Sequence, residues 1–130
     1  MKYIYPAVFT EENPGYSVSF PDIENCFTCG DDLEHALMMA NDALSLMLTD
    51  MEDRKLDIPK PSRVNDIKVG DNEFTTLIQC DTEQYRRTLK NRAIKKTLTI
   101  PEWLNESATA AGLNFSQVLQ EALKAKLNIA

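Results

Sequence analysis

From residue 2 to residue 9 the chain clusters Tyr, Ile, Val and Phe in a run that predicts a strand. Glu11-Glu12-Asn13-Pro14-Gly15 follows with turn chemistry, because Pro and Gly supply its special backbone angles. Tyr16, Val18 and Phe20 then alternate with Ser17 and Ser19, the period of two that marks a half-buried strand, so the two runs predict a β-hairpin. Pro21-Asp22 ends the second run, and residues 27–29 predict a short third strand. After Gly30 the period changes. Leu33, Leu37, Ala40, Leu44, Met47, Leu48 and Met51 recur at helical spacing, with Glu34, Asp42, Asp50 and Asp53 on the outer face. So broad an apolar stripe predicts a helix packed on a sheet. Asp31 and Glu34 fit a capping box in acidic form. Pro59 and Pro61 exclude helix interior around them, so residues 55–72 read mainly as loop. Residues 73–80 (EFTTLIQC) predict a fourth strand, and residues 81–91 a polar connecting helix capped by Asp81 or Thr82.

The last forty residues carry a different pattern. In residues 95–100, Leu98 and Ile100 alternate with Thr97 and Thr99, which predicts a short strand ended by Pro101. A helix is expected over 102–111, with Trp103, Leu104, Ala108 and Ala111 on its apolar side and Gly112 as a left-handed cap. A second helix is expected from Asn114, with Gln117 at capping-box spacing. Its apolar side is Phe115, Val118, Leu119, Ala122, Leu123 and Leu127. A strand and two helices in so few residues cannot bury a sufficient core alone, and a lone strand leaves backbone groups unpaired. Two copies solve both problems, by pairing their strands into a ribbon over four packed helices.

That arrangement resembles the ribbon-helix-helix repressors, whose ribbons enter the major groove. The resemblance implies that Thr97 and Thr99 face base edges, with Lys95 and Lys96 on phosphates. The start of the second helix (Asn114, Phe115, Ser116) would offer backbone N–H groups to a phosphate. Leu98, Ile100, Trp103, Leu104, Val118, Leu119 and Leu123 would form the dimer core. Thr is a weaker base reader than the Arg, Asn or Gln often found on such ribbons, which predicts modest affinity unless several dimers bind together.

Charge sharpens this division. The 130 residues carry a net charge of −6. Residues 1–90 hold 9 Lys/Arg against 17 Asp/Glu, whereas residues 91–130 hold 5 against 3. An acidic body with a mildly basic tail suggests a basic partner for one and a polyanion for the other. An apolar fraction of 43% and a charged fraction of 26% suit a globular chain. No apolar run is long enough for a membrane span, and a broken, short apolar N-terminus lacks signal-peptide layout. A cytoplasmic location is expected.

The stretches YSVSFPDIENCFTCGDDLEHAL and LDIPKPS resemble the body of the HicB family of type II antitoxins, and with the tail the resemblance covers nearly the whole chain. It departs where Glu24-Asn25 replaces an expected Gly after Phe-Pro-Asp, although Asn tolerates the same left-handed angles. The resemblance implies an α+β protein. A partial ribonuclease-H-like β-β-β-α-β domain, without catalysis, would occupy residues 1–80, a connector residues 81–92, and a ribbon-helix-helix dimerisation and DNA-binding domain residues 93–130. It implies a HicA-like toxin that cleaves mRNA as partner, operator DNA as ligand, and a homodimer or tetramer. Asp22, Glu24, Thr28 and Asp31 are the candidate toxin contacts.

Two rivals stand beside this reading: a metal-dependent nuclease on the same sheet and a stand-alone repressor that senses a ligand. A nuclease needs clustered carboxylates, and Asp22, Glu24, Asp31 and Asp32 are the candidates, although Asp31 and Asp32 are better explained as helix caps. Cys26 and Cys29, three apart on a strand, point to opposite faces and lack a second ligand pair for zinc. All three cysteines read as structural thiols, and His35 as a solvated surface residue. No catalytic residue, metal or cofactor is expected.

Overall fold

The computed structural model describes residues 1–129, which fall into two compact units, Met1–Arg92 and the residues from Ala93 onward. In the first unit β1 (Lys2–Glu11), β2 (Tyr16–Ser19) and β3 (Phe27–Gly30) precede α1 (Leu33–Asp53). A single 3-10 turn at Val64–Asp66 then leads to β4 (Glu73–Asp81) and α2 (Thr82–Leu89). The sheet is antiparallel in the order β3-β2-β1-β4. The first strand runs two residues past the expected end because β4 pairs with it as far as Thr10. Pro6 lies in this central strand, where a missing donor normally breaks the ladder. Continuing the Val8–Ser19 register by two residues brings Pro6 opposite Pro21, past the end of β2, so no ladder bond is lost.

Alternation along β1 turns Tyr5, Ala7 and Phe9 toward the core, with Val18, Ile78 and Cys80 from the flanking strands. The helix covers this face with Ala36, Ala40, Leu44 and Leu48, all fully buried. Here the expected stripe needs correcting, because Leu33 and Leu37 are 44% and 41% exposed and Ala36 lies inside. The cause is a close approach. A Cβ on Gly30 would lie 2.3 Å from the Ala36 nitrogen, so only a small residue fits on that face and the leucines rotate outward. The cap is also shifted by one residue: Asp32, not Asp31, accepts from the His35 N–H at 2.7 Å. The His35 Nδ1 in turn accepts from the Asp31 N–H at 3.0 Å, so this histidine closes the cap rather than simply facing solvent. Asn25 takes the left-handed conformation, with φ 60°, in the turn where a Gly is expected.

The polar segment after β4 is a docked helix, with Asp81 as its cap. Thr82 is 1% exposed, and Arg86 reaches Glu52 at 3.0 Å and Asp53 at 2.8 Å. Residues 81–89 therefore belong to the first unit. Their helix has almost no apolar face, and polar contacts to the end of α1 hold it in place.

The second unit consists of α3 (Glu102–Ala110) and α4 (Phe115–Lys126). Asn114 accepts from the Gln117 N–H at 3.1 Å, as the spacing predicted. Gly112, at φ 70°, closes α3, with Gly112 N–H on the Thr109 carbonyl and Leu113 N–H on the Ala108 carbonyl. This is the paired bonding of a left-handed helix stop. Asn128, at φ 58°, repeats it after α4. The strand expected over residues 95–100 does not form, because a strand needs a ladder partner and the described residues supply none. No residue of α3 or α4 is buried. No helix of the described residues is long and apolar enough to cross a membrane.

Candidate functional site

The chemistry-bearing residues fall into two sets. In the tail, Lys95, Lys96, Thr97 and Thr99 are exposed on an unpaired segment. The predicted dimer core is also in water: Leu98 is 57% exposed, Trp103 67% and Leu123 52%, and Ile100, Leu104 and Val118 are likewise exposed, while Leu119 alone is half-buried. Burying a side chain of this kind stabilises by about 1.5–3 kcal/mol, so one copy of the tail leaves most of its available apolar energy unused. The Asn114 cap satisfies the Gln117 N–H at 3.1 Å, and the preceding amides of Phe115 and Ser116 stand at the open end of α4. A shallow polar groove beside that end is lined by Asn114, Ser116, Gln117 and Lys124.

In the body, the candidate toxin contacts do not form one cluster of free groups. The Asp22 carboxylate is engaged, accepting from the Ser62 N–H at 2.9 Å and from its hydroxyl, which pins the loop after α1 to the β2–β3 turn. Glu24 is exposed in that turn, Thr28 is half-buried on β3, and Asp31 is exposed beyond it. No group of three His, Cys, Asp or Glu among the described residues is placed to hold a metal ion. Asp32 is occupied as the α1 cap.

The sequence reading missed two features. One is the polar clamp beneath α2. Burial opposes ionisation of Glu52, but hydrogen bonds from Tyr3 at 2.7 Å, Arg86 and Thr82 prevail and hold its carboxyl below the usual range. The same burial and the Glu52 bond push the Tyr3 hydroxyl up to about 12. No local motif announces a contact between residues so far apart in sequence. The other feature was legible. Between Tyr3 and Asp53 the chain has 11 Asp/Glu and no Lys or Arg, so Lys2 at the start of β1 is the one Lys or Arg in β1, β2, β3 and α1, which form a strongly acidic half of the unit.

A cleft of about 550 Å³ between α1, β4 and α2 is lined by Asn41, Ser45, Gln79, Cys80, Gln84 and Tyr85. The Asn41 amide spans it to the Gln79 carbonyl, and the arrangement pairs no nucleophile with a base. The cysteines divide by exposure. Cys26 and Cys80 are buried, burial pushing the Cys26 thiol up to about 11, whereas Cys29 is exposed and is not the structural thiol expected of all three.

The family model for the HicB-like antitoxin of bacterial toxin-antitoxin systems matches residues 5–122. A chain of a toxin-antitoxin complex from Streptococcus pneumoniae is similar in structure, with a TM-score of 0.62 and 30% identity, covering 97% of this chain and 99% of that one. Antitoxin HicB 2 of Photorhabdus laumondii is 41% identical over 58 residues, 45% of this chain and 42% of that protein. An uncharacterized 14.9 kDa protein of Haemophilus phage HP1, from its rep-hol intergenic region, is 29% identical over 101 residues, 78% of this chain and 75% of that protein.

Proposed function

The chain belongs to the HicB-like antitoxin family of bacterial toxin-antitoxin systems, and from that premise we propose that it inhibits a HicA-like, mRNA-cleaving toxin and represses its own operon. The first unit binds the toxin through its acidic half. We read its sheet as a ribonuclease-H-like arrangement reduced to four antiparallel strands, used for binding and not for catalysis. The second unit binds operator DNA in the cytoplasm as a dimer or higher oligomer. The description of the Streptococcus pneumoniae relative as part of a toxin-antitoxin complex supports the protein partner.

One observation carries the DNA half of this reading: residues 95–100 lack a strand partner and the helices behind them leave Leu98, Ile100, Trp103, Val118 and Leu123 in water. A second copy supplies what is missing. Two segments pair antiparallel, Leu98 and Ile100 turn inward onto four helices, and Thr97 and Thr99 turn outward to base edges. Lys95 and Lys96 meet phosphates, and so do the free amides at the start of α4. Replacing Thr97 and Thr99 together by Ala is expected to weaken binding to the operon's upstream DNA in a gel-shift assay while toxin neutralisation in co-expressing cells stays intact. For a dimer touching about six phosphates, log affinity falls with log salt at a slope near −5. Loss of neutralisation with DNA binding kept would reverse the assignment of the two units, and a flat salt response would exclude direct DNA recognition.

A further inference from the structure

We propose that the outer edge of β3 is the docking line of the body, and that its occupant is an extended segment of a basic protein added as a fifth strand. The inference rests on the toxin reading above and identifies the surface that reading leaves open.

The edge is free by hydrogen-bond parity. Phe20 N–H donates to the Cys26 carbonyl at 3.0 Å. Bonded pairs alternate along an antiparallel ladder, so Val18 and Thr28, the next such pair in the register, also bond across β2–β3. Phe27 and Cys29 therefore turn their backbone N–H and C=O groups outward. No described strand lies on that side, since β3 ends the sheet order. An unpaired edge is a template for another chain.

The side chains on the edge suit a partner. Phe27 is 70% exposed, and its register through Ser19 to Val8 sets it on the sheet face opposite Tyr5, Ala7 and Phe9. Carboxylates bracket the strand: Asp22 and Glu24 lie before it, and Asp31, Asp32 and Glu34 after it. No Lys or Arg occurs between Tyr3 and Asp53, and the loop that carries Lys60 and Arg63 meets this end of the edge at Asp22 through Ser62, which leaves Glu24, Asp31 and Glu34 as exposed carboxylates. An incoming strand with an apolar residue at its centre and Lys or Arg at both ends would match this pattern, and complementary charge both speeds encounter and fixes register. A second copy of this chain fits badly. Antiparallel self-pairing of β3 sets the Asp22–Glu24 end of one copy beside the Asp31–Glu34 end of the other, acid against acid.

Because the Cys29 N–H faces outward, Cys29→Pro removes an edge donor without breaking a bond to β2, the one setting in which a strand tolerates Pro. Phe27→Lys removes the apolar centre and adds a positive charge. The full chain and each variant are co-expressed and titrated with the product of the adjacent reading frame by calorimetry, with far-ultraviolet circular dichroism as the check on folding. Both variants are expected to weaken binding by about tenfold or more. Glu24→Lys combined with Asp31→Lys, which alters only exposed side chains, should weaken it as well and flatten its salt dependence. If the folded variants bind like the wild type, the β3 edge is not the docking line, while the antitoxin reading stands. If the wild-type chain itself fails to bind, both fall. A change in oligomeric state with Cys29→Pro, at unaltered toxin affinity, would assign the edge to a second copy and overturn the proposal.

Discussion

Gly30→Ala should be among the costliest single-methyl changes in this chain. The added Cβ would lie 2.3 Å from the Ala36 nitrogen, 2.5 Å from its Cα and 2.8 Å from the His35 carbonyl carbon. All three are backbone atoms, so no rotamer change relieves the overlap. Ordinary contact begins near 3.4 Å, and α1 must retreat from β3 by roughly 1 Å, a gap that forfeits up to about half of each dispersion contact across it. Ala36 lies on that contact, and Ala40, like it fully buried, belongs to the same core cluster. Overpacking a core costs about 1–3 kcal/mol and occasionally more, and a backbone obstacle places this case near 3 kcal/mol. For a unit of this size each kcal/mol lowers the melting temperature by about 4–8 °C, so a fall of roughly 12–24 °C is expected. Gly112→Ala is the control. That position has φ +70° and no atom within 4 Å, so its cost is only the left-handed backbone penalty, about 1–2 kcal/mol. Spectroscopy separates the two events. Tyr3, Tyr5, Tyr16 and Tyr85 all lie in the first unit, and the only tryptophan, Trp103, lies in the second. Urea unfolding followed by the tyrosine signal should shift strongly for Gly30→Ala and hardly for Gly112→Ala, with the tryptophan signal showing the reverse. A Gly30→Ala chain within about 0.5 kcal/mol of the wild type, the usual range for an inert surface change, would refute the close-approach argument. So would rescue by Ala36→Gly, because the obstacle is the Ala36 main chain.

Two further predictions concern the titratable groups. At pH 8 a thiol-exchange reagent should label Cys29 quickly in the folded chain, while Cys26 and Cys80 react only after unfolding, since burial raises both of their thiol pKa values. Rapid reaction of all three would mean that the core opens easily. Glu52 binds its proton more weakly folded than unfolded, because Tyr3, Arg86 and Thr82 donate to its carboxylate. Its stabilisation is therefore present above the ordinary value of 4.5 and is lost as pH falls through the lowered folded value. The urea midpoint of the first unit should drop below pH 4.5, and Glu52→Gln should lessen that drop while lowering stability at pH 7.

Elements with a local cause were legible in the sequence. The Tyr16–Phe20 alternation, the Pro-Gly turn, the Asn114 cap and the Gly112 stop each follow from the residues at hand, and the structure contains the hairpin, both tail helices and their caps. Features decided by a distant neighbour were not legible. The α1 face turned because β3 presses on Ala36, and helical spacing alone does not report that pressure. The polar segment after β4 read as a connector because its docking depends on Glu52 and Asp53, about thirty residues upstream. The strand expected at residues 95–100 failed for a related reason, since no ladder partner for it lies among the described residues. Of the candidate site, the tail residues are proposed from their pattern, and the structure places them exposed on an unpaired segment. In the body, the engagement of Asp22 by Ser62 and the edge position of Phe27 depend on the loop after α1 and on the sheet order, which the local sequence does not report.

Sedimentation equilibrium of the full chain across the micromolar range, repeated with Leu98→Lys and Ile100→Lys together, tests the requirement for a second copy. The wild type should sediment at twice the chain mass or more, and the double variant should shift toward the monomer without losing the tyrosine signature of the folded first unit. A wild-type chain that stays monomeric at every concentration, with its tail helices intact, would contradict the account.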